Sequence, residues 1–232
     1  MPTANPVSQL DRVLQHLGSN EKAAIQRLLD WLKIPSVSTD PAYREACAKA
    51  CQWAADHLTQ SGFEARIVPG VGEKGEQGHP LVLAHTAGDP AYKGPHILFY
   101  GHYDVQPVDP LELWESKPFE PVIKAAIKDG PGERVVARGA VDDKGQVLMF
   151  LEAMRSWKEV TGMAAGGAKI TVLLEGEEES GSISLPKFFK DHAQALKACD
   201  VAVVSDTGML ARGKPAITYG LRGIAYTEIT LH

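Results

Sequence analysis

Apolar positions recur at helical spacing from Val7 to Leu32, with Gly18-Ser19-Asn20 interrupting the run and Glu21 opening a second one that carries Ile25, Leu28, Leu29 and Leu32. Ile34-Pro35-Ser36 stops it, because the residue before a proline is steered out of the helical region. A further helix is predicted over Tyr43 to Ser61, where Ala46, Cys47, Ala50, Cys51, Ala54 and Leu58 recur at helical spacing. Phe63 to Val68 and Leu81 to His85 read as strands separated by the polar, glycine-containing loop Gly70 to Gly78, which suggests a hairpin or a meander. Ile97 to Tyr100 is the next strand. The proline-rich stretch from Val105 to Pro121 is too long for a simple connection and is a candidate functional loop.

From Lys144 the pattern becomes a helix of about four turns ending near Trp157, with Leu148, Leu151 and Met154 on one face. A strand at 170–174, a helix near Ile183 to Leu196, a strand at 201–204 and strands near Ala216 to Tyr219 and Ile224 to Leu231 follow. Strands alternating with helices imply βαβ units, hence an α/β fold: a three-layer sandwich with a mixed, mainly parallel central sheet. The final alternation runs to one residue before the chain stops, as if a strand were cut from its partner.

With 232 residues and 44% apolar content the chain can bury a full core. A net charge of −5 without a long basic run argues against nucleic acid as a partner. Met1 to Ser8 has no leader pattern and no window approaches a membrane span, so no membrane partner is expected and the cytoplasm is the default location. Three cysteines cannot all pair within the chain. Cys47 and Cys51, four apart, could offer two sulfur ligands, but two small buried residues on one helix face explain them better.

The chemistry lies in four patches. His96-Ile97-Leu98-Phe99-Tyr100-Gly101-His102-Tyr103-Asp104 delivers an imidazole at a strand exit with a carboxylate two residues on. Asp142-Asp143 opens the Lys144 helix, Ile170 to Leu174 runs into Glu175-Gly176-Glu177-Glu178-Glu179-Ser180-Gly181, and Val201 to Val204 leads to Asp206. Ligands collect beyond the carboxyl ends of strands in such sheets. Singly, each patch has an ordinary explanation: a satisfied histidine, a helix N-cap, a solvated acidic turn, a strand-end turn. Together they suggest a hydrolase site for two zinc-like ions roughly 3.5–4 Å apart. Asp142 suits the bridging position, His102 and Asp206 one ion, and Glu179 the other. Glu178 suits the general base, and Asp104 can orient the His102 imidazole. No Gly-x-Ser-x-Gly, Walker-type or Gly-x-Gly-x-x-Gly motif is present, which leaves serine hydrolase, nucleoside triphosphatase and dinucleotide readings weak.

In order and spacing these patches, together with Leu32-Lys33-Ile34-Pro35-Ser36-Val37-Ser38, resemble the co-catalytic zinc metallopeptidase family of carnosinase-like dipeptidases, aminoacylase, succinyl-diaminopimelate desuccinylase and bacterial glutamate carboxypeptidase. The likeness runs from about Glu21 to Leu231. Gly101-His102-Tyr103-Asp104-Val105-Gln106-Pro107 with Trp114, Pro118-Phe119 and the 175–182 segment is most similar to the dipeptidase branch, which an aspartate at 206 also suits. The resemblance implies two divalent metal ions, expected to be zinc with manganese or cobalt as alternatives. His102 and Asp206 would bind one, Asp142 would bridge, Glu179 would bind the other, Glu178 would be the base and Asp104 would support His102. It also implies that residues 1–219 are the amino-terminal part of a catalytic domain and 220–232 the first strand of a lid and dimerisation domain. The family's last zinc-binding histidine follows that lid, and His232 does not match it. The implied substrate is a small peptide with a free carboxylate, and the implied assembly a homodimer through the lid. Two other readings stand beside this one: an N-acyl-amino-acid deacylase or desuccinylase, and a metal-binding fragment without turnover.

Overall fold

The computed structural model describes residues 8–125, 132–211 and 213–231. Its first helix, α1 (Gln9–Ser19), starts on a capping box in which Ser8 and Asp11 exchange side-chain and backbone bonds. Asn20 ends it, and α2 (Glu21–Leu32) begins at once. In α3 (Arg44–Gln60) the buried positions Cys47, Ala50, Cys51, Ala54 and Leu58 form one stripe, as the spacing predicts, and both cysteines are free thiols in the core.

The central sheet has the order β1-β2-β6-β3-β7, from β1 (Glu64–Val68), β2 (Leu81–His85), β3 (Ile97–His102), β6 (Ile170–Glu175) and β7 (Val201–Val204). It is mixed: β1–β2 and β2–β6 pair antiparallel, whereas β6–β3 and β3–β7 pair parallel. Side-chain alternation sorts the strands into two cores. Val82, Ala84, Ile97, Phe99, Ile170, Val172 and Leu174 face α3 and α4 (Lys144–Thr161), and Leu81, Leu83, Leu98, Tyr100 and Leu173 face α5 (Leu185–Asp191) and α6 (Ala193–Lys197). Every residue of β6 is therefore buried, and the fold has three layers.

Several expectations shift. Helix α4 runs a turn further than predicted, to Gly162, which takes the left-handed φ of +76° that terminates it. The helix expected over Ile183 to Leu196 is two short ones, broken at His192, with Leu185, Phe188 and Leu196 on the same core. The long loop from Val105 contains a bridge from Val105 to Val37 and leads into an unanticipated hairpin, β4 (Val122–Ala125) with β5 (Glu133–Val136). The strands expected at 216–219 and 224–231 are not formed; Ile217, Tyr219, Ile224, Ile229 and Leu231 are exposed, without a ladder to join. Val7 and His232 lie outside the described residues.

The parallel half of the sheet places the chemistry. Because β3 lies between β6 and β7, the chain segments leaving the carboxyl ends of all three converge. His102, the last residue of β3, stands in register with Glu175, the last of β6. The exit of α2 is drawn to the same end: Ser36 donates to the Tyr103 carbonyl at 2.7 Å and Val105 donates to the Ser36 carbonyl at 3.0 Å.

Candidate metal centre

His102 is fully buried, and its Nε2 has no hydrogen-bond partner. Three carboxylate oxygens face that nitrogen: Asp142 Oδ1 at 3.2 Å, Asp206 Oδ2 at 3.7 Å and Glu178 Oε2 at 3.9 Å. Ligand atoms of His102, Asp142 and Asp206 all lie within 4.8 Å of one another. An orphaned imidazole nitrogen ringed by acids fits a divalent cation, since one nitrogen and several carboxylate oxygens suit zinc, with manganese and cobalt close behind.

The other imidazole nitrogen is fixed from behind. His102 Nδ1 lies 3.1 Å from the carbonyl oxygen of Asp104 and 3.3 Å from its Oδ1, so Nε2 is the nitrogen left for the site. Burial alone would lower the His102 pKa. The hydrogen bond and charge of Asp104, reinforced by Asp143 and Glu178, outweigh burial and raise it to about 10.

Asp143 occupies the N-cap position of α4 but makes no side-chain capping bond. Its buried carboxylate instead accepts the backbone N–H of His102 at 3.1 Å, and burial pushes its pKa up to about 7. Asp142, one residue earlier, is half exposed and turned toward the imidazole. The pair thus divides into a group facing the site and a support beneath it.

Glu178 and Glu179 sit on a single 3-10 turn after β6. Their backbone N–H groups donate to Asp104 Oδ1 at 3.3 Å and Oδ2 at 3.1 Å. Burial raises the Glu178 pKa; His102 opposes this, and Asp206, Asp104 and Asp142 add to it. Glu179 lies outside the His102–Asp142–Asp206 cluster and accepts the Gln106 amide at 2.5 Å. Burial raises its pKa as well. Glu177 is not a solvated turn residue but is buried.

Three supporting residues escaped the sequence reading. Asp143 was hidden by its capping position, and Gln106, shortly after the end of β3, by a neutral amide side chain that does not suggest a metal ligand or a base. Glu175, buried, accepts from Tyr100 and Ser182, and burial raises its pKa to about 7. Its place directly after the apolar run Ile170 to Leu174 was the signal available in the sequence.

Residues 98–230, more than half of the chain and all of this site, match the family model of peptidase family M20/M25/M40. The chain belongs to this family. Among M20 relatives, Cys-Gly metallodipeptidase DUG1 of Saccharomyces cerevisiae is 33% identical over 94% of this chain and 45% of its own length. Beta-Ala-His dipeptidase of Homo sapiens is 31% identical over 95% of this chain and 43% of its own length. The solved structure of human carnosine dipeptidase 1 superposes with a TM-score of 0.75 at 26% identity, covering 88% of this chain and 42% of that one. Dug1p from Saccharomyces cerevisiae gives 0.72 at 28% identity, covering 87% and 42%. The chain therefore spans less than half the length of the M20 relatives it matches. Among the described residues no helix is long and apolar enough to cross a membrane.

Proposed function

We propose that this chain carries the metal-binding part of an M20 dipeptidase, whose reaction is hydrolysis of a dipeptide or short peptide bearing a free carboxylate. The observation that carries the reading is the buried, unpartnered His102 Nε2 with Asp142 at 3.2 Å and Asp206 at 3.7 Å. The names of the relatives, Cys-Gly and Beta-Ala-His dipeptidases, support that substrate class. We assign His102 and Asp206 to one cation, Asp142 to the bridge and Glu179 to a second cation. Zinc is the expected ion, with manganese or cobalt as alternatives. Such cations supply Lewis-acid polarisation of the scissile carbonyl and lower the pKa of water.

The chain's own residues supply the rest. Glu178, at the rim of the cluster with its pKa raised by burial, is suited to accept a proton from the attacking water and return it to the leaving amine. Asp104 holds the His102 ring so that Nε2 faces the site. Residues 1–219 are read as part of the catalytic domain and 220–232 as the start of a lid and dimerisation domain, which implies a homodimer. Three free thiols suit a reducing compartment such as the cytoplasm.

A second reading, metal binding without turnover, is favoured by Glu179, which is engaged by Gln106 and stands outside the cluster. Titrating zinc into chelator-stripped chain, with a panel of dipeptides and N-acyl amino acids as substrates, separates the readings. Two ions with dipeptide turnover support the dipeptidase, and turnover confined to acylated amino acids supports a deacylase. One ion without turnover supports the second reading. No zinc bound by a folded sample removes the metal centre altogether.

A further inference from the structure

The turn that presents Glu178 has its backbone N–H groups fully occupied. Glu178 and Glu179 donate to Asp104, Ser180 and Ser182 donate to the Glu177 carbonyl, and Gly181 donates to the Glu178 carbonyl. Glu177 is the centre of this arrangement. Its side chain is 3% exposed, and among the described residues it has no cationic partner. Oε1 accepts the N–H of His79 at 2.9 Å, and Oε2 accepts the N–H of Ser184, at the start of α5, at 3.0 Å. One carboxylate thus joins the loop before β2 to the segment after the turn, across 98 residues of sequence.

The surroundings are cut to fit it. A Cβ at Gly78 would stand 2.1 Å from Glu177 Oε1 and 2.3 Å from Ser184 Oγ, so only glycine lets that loop reach the carboxylate. Gly78 is held in turn by its bond to the Gly70 carbonyl at 3.0 Å and by Arg44, which donates to the Gly78 carbonyl at 3.3 Å. His79 is anchored through Nε2, 3.1 Å from the Ser38 carbonyl. The loop is therefore a fixed wall against which the turn is braced.

We propose that Glu177 is a positioning residue for Glu178: its carboxylate clamps the turn to the 70–79 loop and its carbonyl closes the turn, so the neighbouring carboxylate is delivered to the site without searching for it. The role rests on reading Glu178 as the base, but the clamp can be tested without that reading. Backbone amide exchange and zinc binding would be followed in the full 232-residue chain carrying Glu177→Gln or Glu177→Ala. Glutamine keeps one acceptor and turns an NH2 toward the other donor; alanine keeps neither.

The expected result is graded. Amides of Glu178, Glu179, Ser180 and Ser182 exchange about tenfold faster or more in Glu177→Ala and less so in Glu177→Gln, while β3 and β6 amides stay within about twofold. Zinc at the His102 cluster is retained, and dipeptide kcat falls with KM held. Gly78→Ala, which attacks the clamp from the opposite side, reproduces the exchange pattern if Glu177→Ala does not fold. Unchanged exchange in the turn overturns the proposal, as does acceleration spread evenly over the whole protein. If Glu178→Gln leaves turnover intact, the base reading fails and the amide pattern still decides the clamp; if the parent chain has no turnover, the amide pattern alone decides it.

Discussion

The carboxylate of Asp104 accepts the backbone N–H of Glu178 at 3.3 Å, across 74 residues of sequence. The same side chain stands 3.3 Å from His102 Nδ1 and accepts from Glu179 at 3.1 Å. One buried acid therefore sets both the imidazole and the turn that carries the proposed base. Asp104→Asn keeps the shape but removes the charge and replaces one acceptor with a donor. Zinc affinity should fall by about 10–100-fold, the usual loss when a ligand's hydrogen-bond partner is removed. Competition with a chromophoric chelator measures it, and an unchanged affinity would show that His102 needs no such support.

Zinc and a proton compete for His102. In the metal-free protein its pKa is raised to about 10, so the imidazole is protonated at neutral pH and must release that proton to bind a metal. Affinity should therefore rise with pH, by roughly tenfold per unit between about pH 7 and 9, with about one proton released per ion from this residue. Calorimetric titration in buffers of different ionisation enthalpy counts the protons. No release near neutral pH would mean that the carboxylates do not hold His102 charged.

Glu175 makes an opposite demand on pH. Its folded-state pKa of about 7 lies above the ordinary value of 4.5, so the native protein binds this proton more tightly than the unfolded chain. The contribution to stability is complete below about pH 4.5 and is lost as pH rises through about 7, with a ceiling on the order of 3 kcal/mol. Asp143, also raised to about 7 by burial, acts with the same sign. Metal-free Glu175→Gln, still able to accept from Tyr100 and Ser182, should be more stable than the parent at pH 8 and nearly equal to it at pH 4. Urea unfolding at the two pH values tests this; a constant difference would place the Glu175 pKa outside that window.

Much of this architecture was legible because it rests on local periodicity. The α3 stripe follows from side-chain spacing, the limits of β2 from a continuous apolar run, and the break at Asn20 from the turn-forming residues around it. That His102, Asp142 and Asp206 meet was expected on another ground: each has an ordinary use alone, but several metal-capable groups at one edge of a sheet are hard to obtain from capping and turns. What sequence did not reveal depends on contacts distant along the chain. The β4–β5 hairpin has strands of only four residues, and the apolar alternation at 224–231 has no neighbouring strand to turn it into a ladder. Asp143 and Glu177 looked like a cap and a solvated acid until folding brought His102 to one and His79 to the other.

Gly101 shows how tightly the core beneath the centre is coupled to it. A Cβ there would stand 2.6 Å from Val147 Cγ2, in α4, and 2.8 Å from Asp143 Oδ2, both too close to tolerate without movement. Val147 is fully buried and has little room to yield, so the strain falls on Asp143, which receives the His102 N–H. Gly101→Ala should destabilise the fold by about 1–3 kcal/mol, as overpacking does. Because Asp143 shifts with it, zinc affinity should fall beyond what stability explains. Gly18→Ala is the contrast: nothing lies within 4 Å of its added Cβ, and its place in α1 favours alanine, so stability should rise by a few tenths to about 1 kcal/mol. Urea unfolding of both variants with parallel zinc titrations separates the effects. If Gly101→Ala loses stability but binds zinc like the parent, Asp143 is a packing residue and not a support for His102.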